Sequence, residues 1–242
     1  MKSAILAVKE AAVNYSDGKT DIPLRANIPV KEFNGNSLYM YGYVPGSKAL
    51  GVKPETIYFT SGGTESDQIP ILAVMSKPAK GTVLFSSIEH PALREQAEAM
   101  KKIGWNVISI PADKYGLIQP ETVKSLLTPD TMLVCVMAVN NETGSIQPIQ
   151  QIADVILEFG KGGRKPKFHV DCVQAAGKIP LNLNYPGIDS AAFSSHKICG
   201  PRGIGILYLK NPSLYQEDID NLMKQIADIS NVLDEIIDRY GR

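Results

Sequence analysis

The run Met132-Leu133-Val134-Cys135-Val136-Met137 carries no polar side chain. Its length suits a strand, and a strand apolar on both faces belongs in a sheet covered on both sides, as parallel sheets are. Working outward, β-rich runs recur at Thr56–Thr60, Thr82–Ser86, Asn106–Ile110, Met132–Ala138, Lys167–Val170, Ser190–Phe193 and Ile204–Leu209. Helical patterns fall between them at Pro91–Ile103, Pro120–Leu127 and Pro148–Phe159, each with proline in the first turn, where its missing N–H costs nothing. The alternation predicts an α/β fold over residues 51–210: a mostly parallel, seven-stranded sheet with helices on both faces. Ligands of such sheets bind beyond the carboxyl ends of the strands.

The flanks read differently. Residues 1–50 form an N-terminal segment: an amphipathic helix over 1–15, then an aperiodic stretch from Asp17 to Pro54, expected to be loop with one short strand. In the third segment, residues 211–242, apolar residues from Ile219 to Ile237 repeat at helical spacing and predict a long amphipathic helix over Gln216–Tyr240. It is expected to pack and to carry no chemistry.

At 242 residues the chain can bury a substantial core, and its formal net charge of zero leaves no electrostatic footprint for nucleic acid. No run approaches membrane-span length, and the apolar start is broken at Lys9 and Glu10, too soon for a secretion signal. Three cysteines, Cys135, Cys172 and Cys199, show no paired spacing, so a disulfide framework is not expected and the cytoplasm is the default location. The three histidines, His90, His169 and His196, lack zinc-type spacing, and no metal site is expected. All three are expected at strand ends near one site.

Five motifs follow predicted strands. Ser61-Gly62-Gly63-Thr64-Glu65-Ser66 opens a helix, whose N-terminus and adjacent glycines suit an anion; an ordinary turn with an N-cap threonine would read the same way. Pro70 inside that helix is expected to kink or delay it. In Glu89-His90-Pro91, the histidine could face a flat ring, or simply cap the next helix. Val139-Asn140-Asn141-Glu142-Thr143-Gly144 could offer an amide donor or be a plain turn. His169-Val170-Asp171-Cys172-Val173-Gln174 puts an acid at a strand end. Ser194-Ser195-His196-Lys197-Ile198-Cys199-Gly200-Pro201-Arg202-Gly203 holds a lysine in a rigid turn, where burial would favour a neutral amine able to form a Schiff base with an aldehyde cofactor. An aspartate near such a lysine suits pyridoxal phosphate, whose ring nitrogen must stay protonated.

In this order and spacing the five motifs resemble those of the cysteine desulfurases, class V (fold-type I) pyridoxal-phosphate enzymes. The resemblance covers roughly residues 51–210. It implies that Lys197 binds pyridoxal 5'-phosphate covalently, Asp171 pairs with the ring nitrogen, and Gln174 and Asn141 bond the phenolic oxygen. His90 would stack on the ring, with Gly63, Thr64, Ser194 and His196 on the phosphate. Lys197 and His90 are the residues it makes catalytic. It further implies L-cysteine or a related amino acid as substrate, alanine as product, sulfur passed to an acceptor protein as in iron–sulfur cluster assembly, and a homodimer. Gly160–Lys165 looks like a few extra residues in a loop.

Two features depart from that family. Nothing in residues 1–50 matches its Asp-Asn-Ala-Ala-Thr-type opening motif. After Leu209, residues 210–213 lead directly into what looks like the family's closing helix, with no counterpart for the small-domain cysteine nucleophile, substrate arginine or partner-reaching threonine. The expectation is a large domain whose substrate-facing parts are removed or replaced, by natural truncation, by engineering or because the sequence is incomplete. Desulfurase turnover is then expected to be absent or very low even where the cofactor binds. The alternatives are another pyridoxal-phosphate lyase or transaminase, or a cofactor-binding scaffold without turnover.

Overall fold

A computed structural model describes residues 28–30, 35–37, 52 and 56–212. The helices expected over 1–15 and 216–240 lie outside these residues. The chain divides into two compact units, Met1–Lys210 and Asn211–Arg242, and the sheet lies in the first.

Strands β1 (Ile28–Val30) and β2 (Gly35–Ser37) pair antiparallel, giving two short strands where the sequence suggested one. The main sheet alternates with helices: β3 (Ile57–Thr60), α1 (Gly63–Met75), β4 (Thr82–Ser86), α2 (Pro91–Lys102), β5 (Asn106–Ile110) and α3 (Pro120–Leu126). It continues through β6 (Thr131–Cys135), α4 (Ile149–Gly160), β7 (Lys167–Asp171), β8 (Ser190–Ser194) and β9 (Gly205–Leu209). The spatial order is β3-β9-β8-β7-β6-β4-β5. Only β9 runs against the others, so the mostly parallel, seven-stranded α/β sheet is as expected.

Side chains alternate between the two faces of each strand, and the apolar runs feed two cores. On one face Leu84, Val134, Val136, Phe168 and Val170 pack with Val123 of α3 and Ile152 and Ile156 of α4. On the other, Val83, Phe85, Leu133 and Cys135 pack with Ile71 and Val74 of α1 and Leu93 and Met100 of α2. A fully buried side chain of this size contributes roughly 1.5–3 kcal/mol, which makes the sheet the rigid frame of the unit.

Pro70 does not end α1, which runs on to Met75. Proline forfeits one ladder bond there, while burial of Ile71 and Val74 in the turn that follows offsets the loss. Of the segment Gly160–Lys165, Gly160 ends α4 and the rest turns away from it, with an ion pair from Lys165 to the buried Asp189.

Candidate functional site

Because the sheet is nearly all parallel, the C-terminal ends of β3, β4, β6, β7 and β8 open on one edge. At β3 the chain turns through Gly62 into α1. The turn is closed by the Thr60 hydroxyl donating to the Gly62 carbonyl at 3.0 Å and meeting the Ser66 hydroxyl at 2.6 Å. Gly205 on the neighbouring β9 lies directly beneath. A Cβ there would sit 2.4 Å from the Gly62 carbonyl carbon and from the Thr60 hydroxyl, so only glycine lets the turn settle so low. Gly63 is similarly confined: its Cβ would meet Val173 at 2.9 Å and Ser194 at 3.3 Å. The helix cap is Gly62, without a side-chain cap bond, so Thr64 is not the cap residue. The first-turn N–H groups of a helix lack intrahelical acceptors, and Gly63 and Thr64, which open α1, line the site.

At β4 the chain leads to His90. Its Nδ1 accepts from the Ala92 N–H at 3.2 Å, so the histidine caps α2 and, when neutral, carries its proton on Nε2. The capping role is the one the geometry shows, and the residue also lines the pocket. Beyond β6, the two asparagines divide the work. Asn140 is buried, donates to the Ile88 carbonyl at 3.0 Å and accepts from Glu142 and Thr143, which fixes the loop. Asn141 is left exposed on the pocket.

At β8 the chain enters a short 3-10 helix, Ser195–Ile198, that presents Lys197. The Ser194 hydroxyl and His196 Nδ1 are 2.8 Å apart. Gly200 N–H closes the turn on the Ser195 carbonyl at 2.8 Å, and the Ser195 hydroxyl donates to the Pro201 carbonyl. Cys199 takes a left-handed conformation, φ 64°, to make the turn. Lys197 is exposed and lines the pocket, which corrects the expectation of burial.

Gly63, Thr64, His90, Asn141, Asp171, Gln174, Ser194, His196 and Lys197 all line this one cavity of about 180 Å³. Three lining residues were not expected at the site: Asp67, Met137 and Val173. For Asp67 there was a signal, an acid on the buried face of a helix otherwise filled by Ile71 and Val74. His169 is corrected in the other direction. It lies within β7, fully buried beneath the pocket, because its imidazole finds polar partners there.

The pocket floor is acidic, and its carboxyls are buried. Asp171, at the end of β7, accepts from the Val173 N–H at 2.8 Å; burial, then the nearby Asp67, push its carboxyl up to about 7. Burial alone raises Asp67 well above its ordinary range. Glu89 is pushed up to about 8, by burial first and by Asp171 and Asp67 after it. Its Oε1 accepts from the Met137 N–H at 2.7 Å and from Ser86, while Oε2 is buried without a partner. His169 is lowered to about 4 by burial. Burial also raises the thiols of Cys135 and Cys172, whereas Cys199 is exposed. Among the described residues no group of His, Cys, Asp or Glu could hold a metal ion, and no helix is long and apolar enough to cross a membrane.

This donor set fits a flat cofactor with an anionic tail and a basic ring nitrogen. A buried carboxyl without a cationic partner sits at one end, a helix N-terminus with Ser194 and His196 at another, and an amine at the rim. Residues 47–220 match the family described as aminotransferase class-V. The chain is 38% identical over 166 residues to a protein named cysteine desulfurase IscS from Dictyoglomus turgidum, covering 68% of this chain and 41% of that one. A solved structure titled NIFS-like protein superposes with a TM-score of 0.63 at 38% identity, over 68% of this chain and 45% of that one. Another, titled SspA in complex with cysteine, gives 0.63 at 34% identity, over 68% and 46%. The chain thus spans about two fifths of the length of the curated relative it matches, and within that span it belongs to the aminotransferase class-V family.

Proposed function

We propose that residues 51–210 form a pyridoxal-5'-phosphate-binding domain of the cysteine desulfurase type, acting on L-cysteine. The observation that carries this reading is the convergence of nine polar or glycine positions from five separate segments on one cavity, with a buried carboxyl at its floor and an amine at its rim. The relatives' names and the cysteine complex among the similar structures support the substrate.

In this reading Lys197 would hold the cofactor through its amine and move the α-proton of the amino acid. The N–H groups of Gly63 and Thr64, with Ser194 and His196, would bind the phosphate. His90 would cover the ring face, Asn141 and Gln174 would donate to the phenolic oxygen, and Asp171 would keep the ring nitrogen protonated. When bound, the cofactor supplies an electron sink for charge developing at the substrate α-carbon. In the full reaction a thiolate takes the sulfur of L-cysteine, leaving alanine and a persulfide. A homodimer, a sulfur-acceptor protein, a part in iron–sulfur cluster assembly and a cytoplasmic setting belong to the same reading.

A second reading, a lyase or transaminase reaction that needs no protein thiol, is favoured by one observation. Cys135 and Cys172 are buried, and Cys199 is pinned in the turn that carries Lys197. The test of cofactor binding is direct. Purified protein given pyridoxal phosphate should show a visible absorption band and a borohydride-fixed adduct on the peptide containing Lys197, both lost in Lys197→Ala. An adduct that persists in that variant refutes the assignment. Sulfide release from L-cysteine then separates the two readings.

A further inference from the structure

β4 pairs with β5 on one side and with β6 on the other, so the chain steps outward from β4 to β5 and then crosses back to β6. Such a switch point opens a crevice at the carboxyl ends of the strands. The ladder between β4 and β6 stops at Phe85 and Cys135. Beyond it the two backbones part: Ser87 donates to Ile110 of β5, whereas Val136 and Ala138 donate to His169 and Asp171 of β7. Two side chains bridge the gap from opposite sides. Glu89 Oε1, from the β4 segment, accepts from the Met137 N–H at 2.7 Å. Asn140 Nδ2, from the β6 segment, donates to the Ile88 carbonyl at 3.0 Å. Both residues are buried, and each immediately precedes a pocket residue, His90 and Asn141 respectively.

We propose, on the cofactor reading above, that Glu89 and Asn140 are positioning residues, a reciprocal pair of ties across this crevice that sets where His90 and Asn141 stand on the cofactor. Neither side chain lines the cavity, so each acts through the residue that follows it. Both anchors are themselves held. The Ser86 hydroxyl donates to Glu89 Oε1, and Asn140 Oδ1 accepts from the Glu142 and Thr143 N–H groups at 3.0 and 2.8 Å. A planar peptide leaves few soft torsions between neighbours, so a shift of either backbone across the crevice carries His90 or Asn141 with it. The two ends of the Asn140 amide divide its work. Oδ1 shapes its own loop, while Nδ2 meets Met137 Sδ at 3.4 Å and crosses to Ile88. Asn140→Asp therefore keeps the loop contacts and removes the tie. At the other anchor, Glu89→Gln keeps the accepting oxygen and Glu89→Ala removes it.

The test measures binding of two ligands by calorimetry: pyridoxal phosphate, and its 3-deoxy analogue, which lacks the phenolic oxygen. Asn140→Asp should weaken pyridoxal phosphate about tenfold and the analogue less than about twofold. In an Asn141→Ala background the same substitution should cost less than about twofold, because a residue acting through Asn141 then has nothing to position. Direct repulsion by the new carboxylate would persist in that background, so the cycle separates the two. On the other tie, Glu89→Ala should cost about fivefold in the wild type and less than about twofold in His90→Ala, while Glu89→Gln matches the wild type. A loss undiminished in either background, equal losses of the two ligands in Asn140→Asp, or no loss would overturn the proposal. If one variant does not fold, as Trp105 fluorescence would show, the other cycle decides by the same criterion. Failure of the wild type to bind pyridoxal phosphate would instead remove the cofactor reading itself, and this inference with it.

Discussion

Replacing Glu89 by glutamine should flatten the dependence of stability on pH. In the fold its carboxyl is pushed from 4.5 up to about 8, because burial and the neighbouring acids oppose its charge more than Ser86 and the Met137 N–H favour it. The unfolded chain releases this proton near the ordinary value, so between the two the folded state binds more protons and stability falls as pH rises. The contribution is fully present below about 4.5 and lost on passing about 8. Linkage over that shift, taken from about pH 5 to about pH 9, gives a ceiling of about 4 kcal/mol. Glutamine keeps the oxygen that accepts from Ser86 and Met137 and cannot ionise. Its stability advantage over glutamate should therefore grow by up to that amount across the range, a shift of roughly 1–2 M in the urea midpoint. Trp105, the chain's only tryptophan and a buried one, reports the unfolding by fluorescence, with protein stripped of small molecules. Parallel pH curves for the two proteins would refute the protonated, half-partnered acid.

Three further outcomes follow from the site. In Gly205→Ala the new methyl would meet the Gly62 backbone at 2.4 Å, so the variant should lose about 1–3 kcal/mol and bind pyridoxal phosphate more weakly, as urea titration and absorbance would show. Since Asp171 sits near 7, its affinity for a cationic ring should rise with pH up to that value and level off above it; comparison with Asp171→Asn, which should lack this component, isolates it. Desulfurase turnover by the chain as given should be weak, because Cys135 and Cys172 are buried as raised-pKa thiols and Cys199 is tethered. Robust alanine production lost on Cys199→Ser would reverse that view.

The layering of the sheet and the edge on which the site sits were legible in the sequence, because both follow from near neighbours. The run from Met132 to Met137 can only be buried on two faces, and each motif follows its strand within a few residues. All nine expected positions line one cavity for the same reason: strands of one direction deliver their carboxyl ends to one edge. What sequence alone left undecided depends on contacts between distant segments. Asp67 and His169 are 102 positions apart and meet only because α1 lies over β7, which turns a helix acid and a strand histidine into one buried pair. Of the adjacent pair Asn140 and Asn141, loop closure on Ile88 buries the first and leaves the second on the pocket. Lys197 was expected to be buried and is exposed, since the direction of its turn is set by the left-handed Cys199 and by the Ser195–Pro201 bond. Residue type and spacing determined which groups gather at the edge; packing across the sheet determined which of them are buried, exposed or held in place.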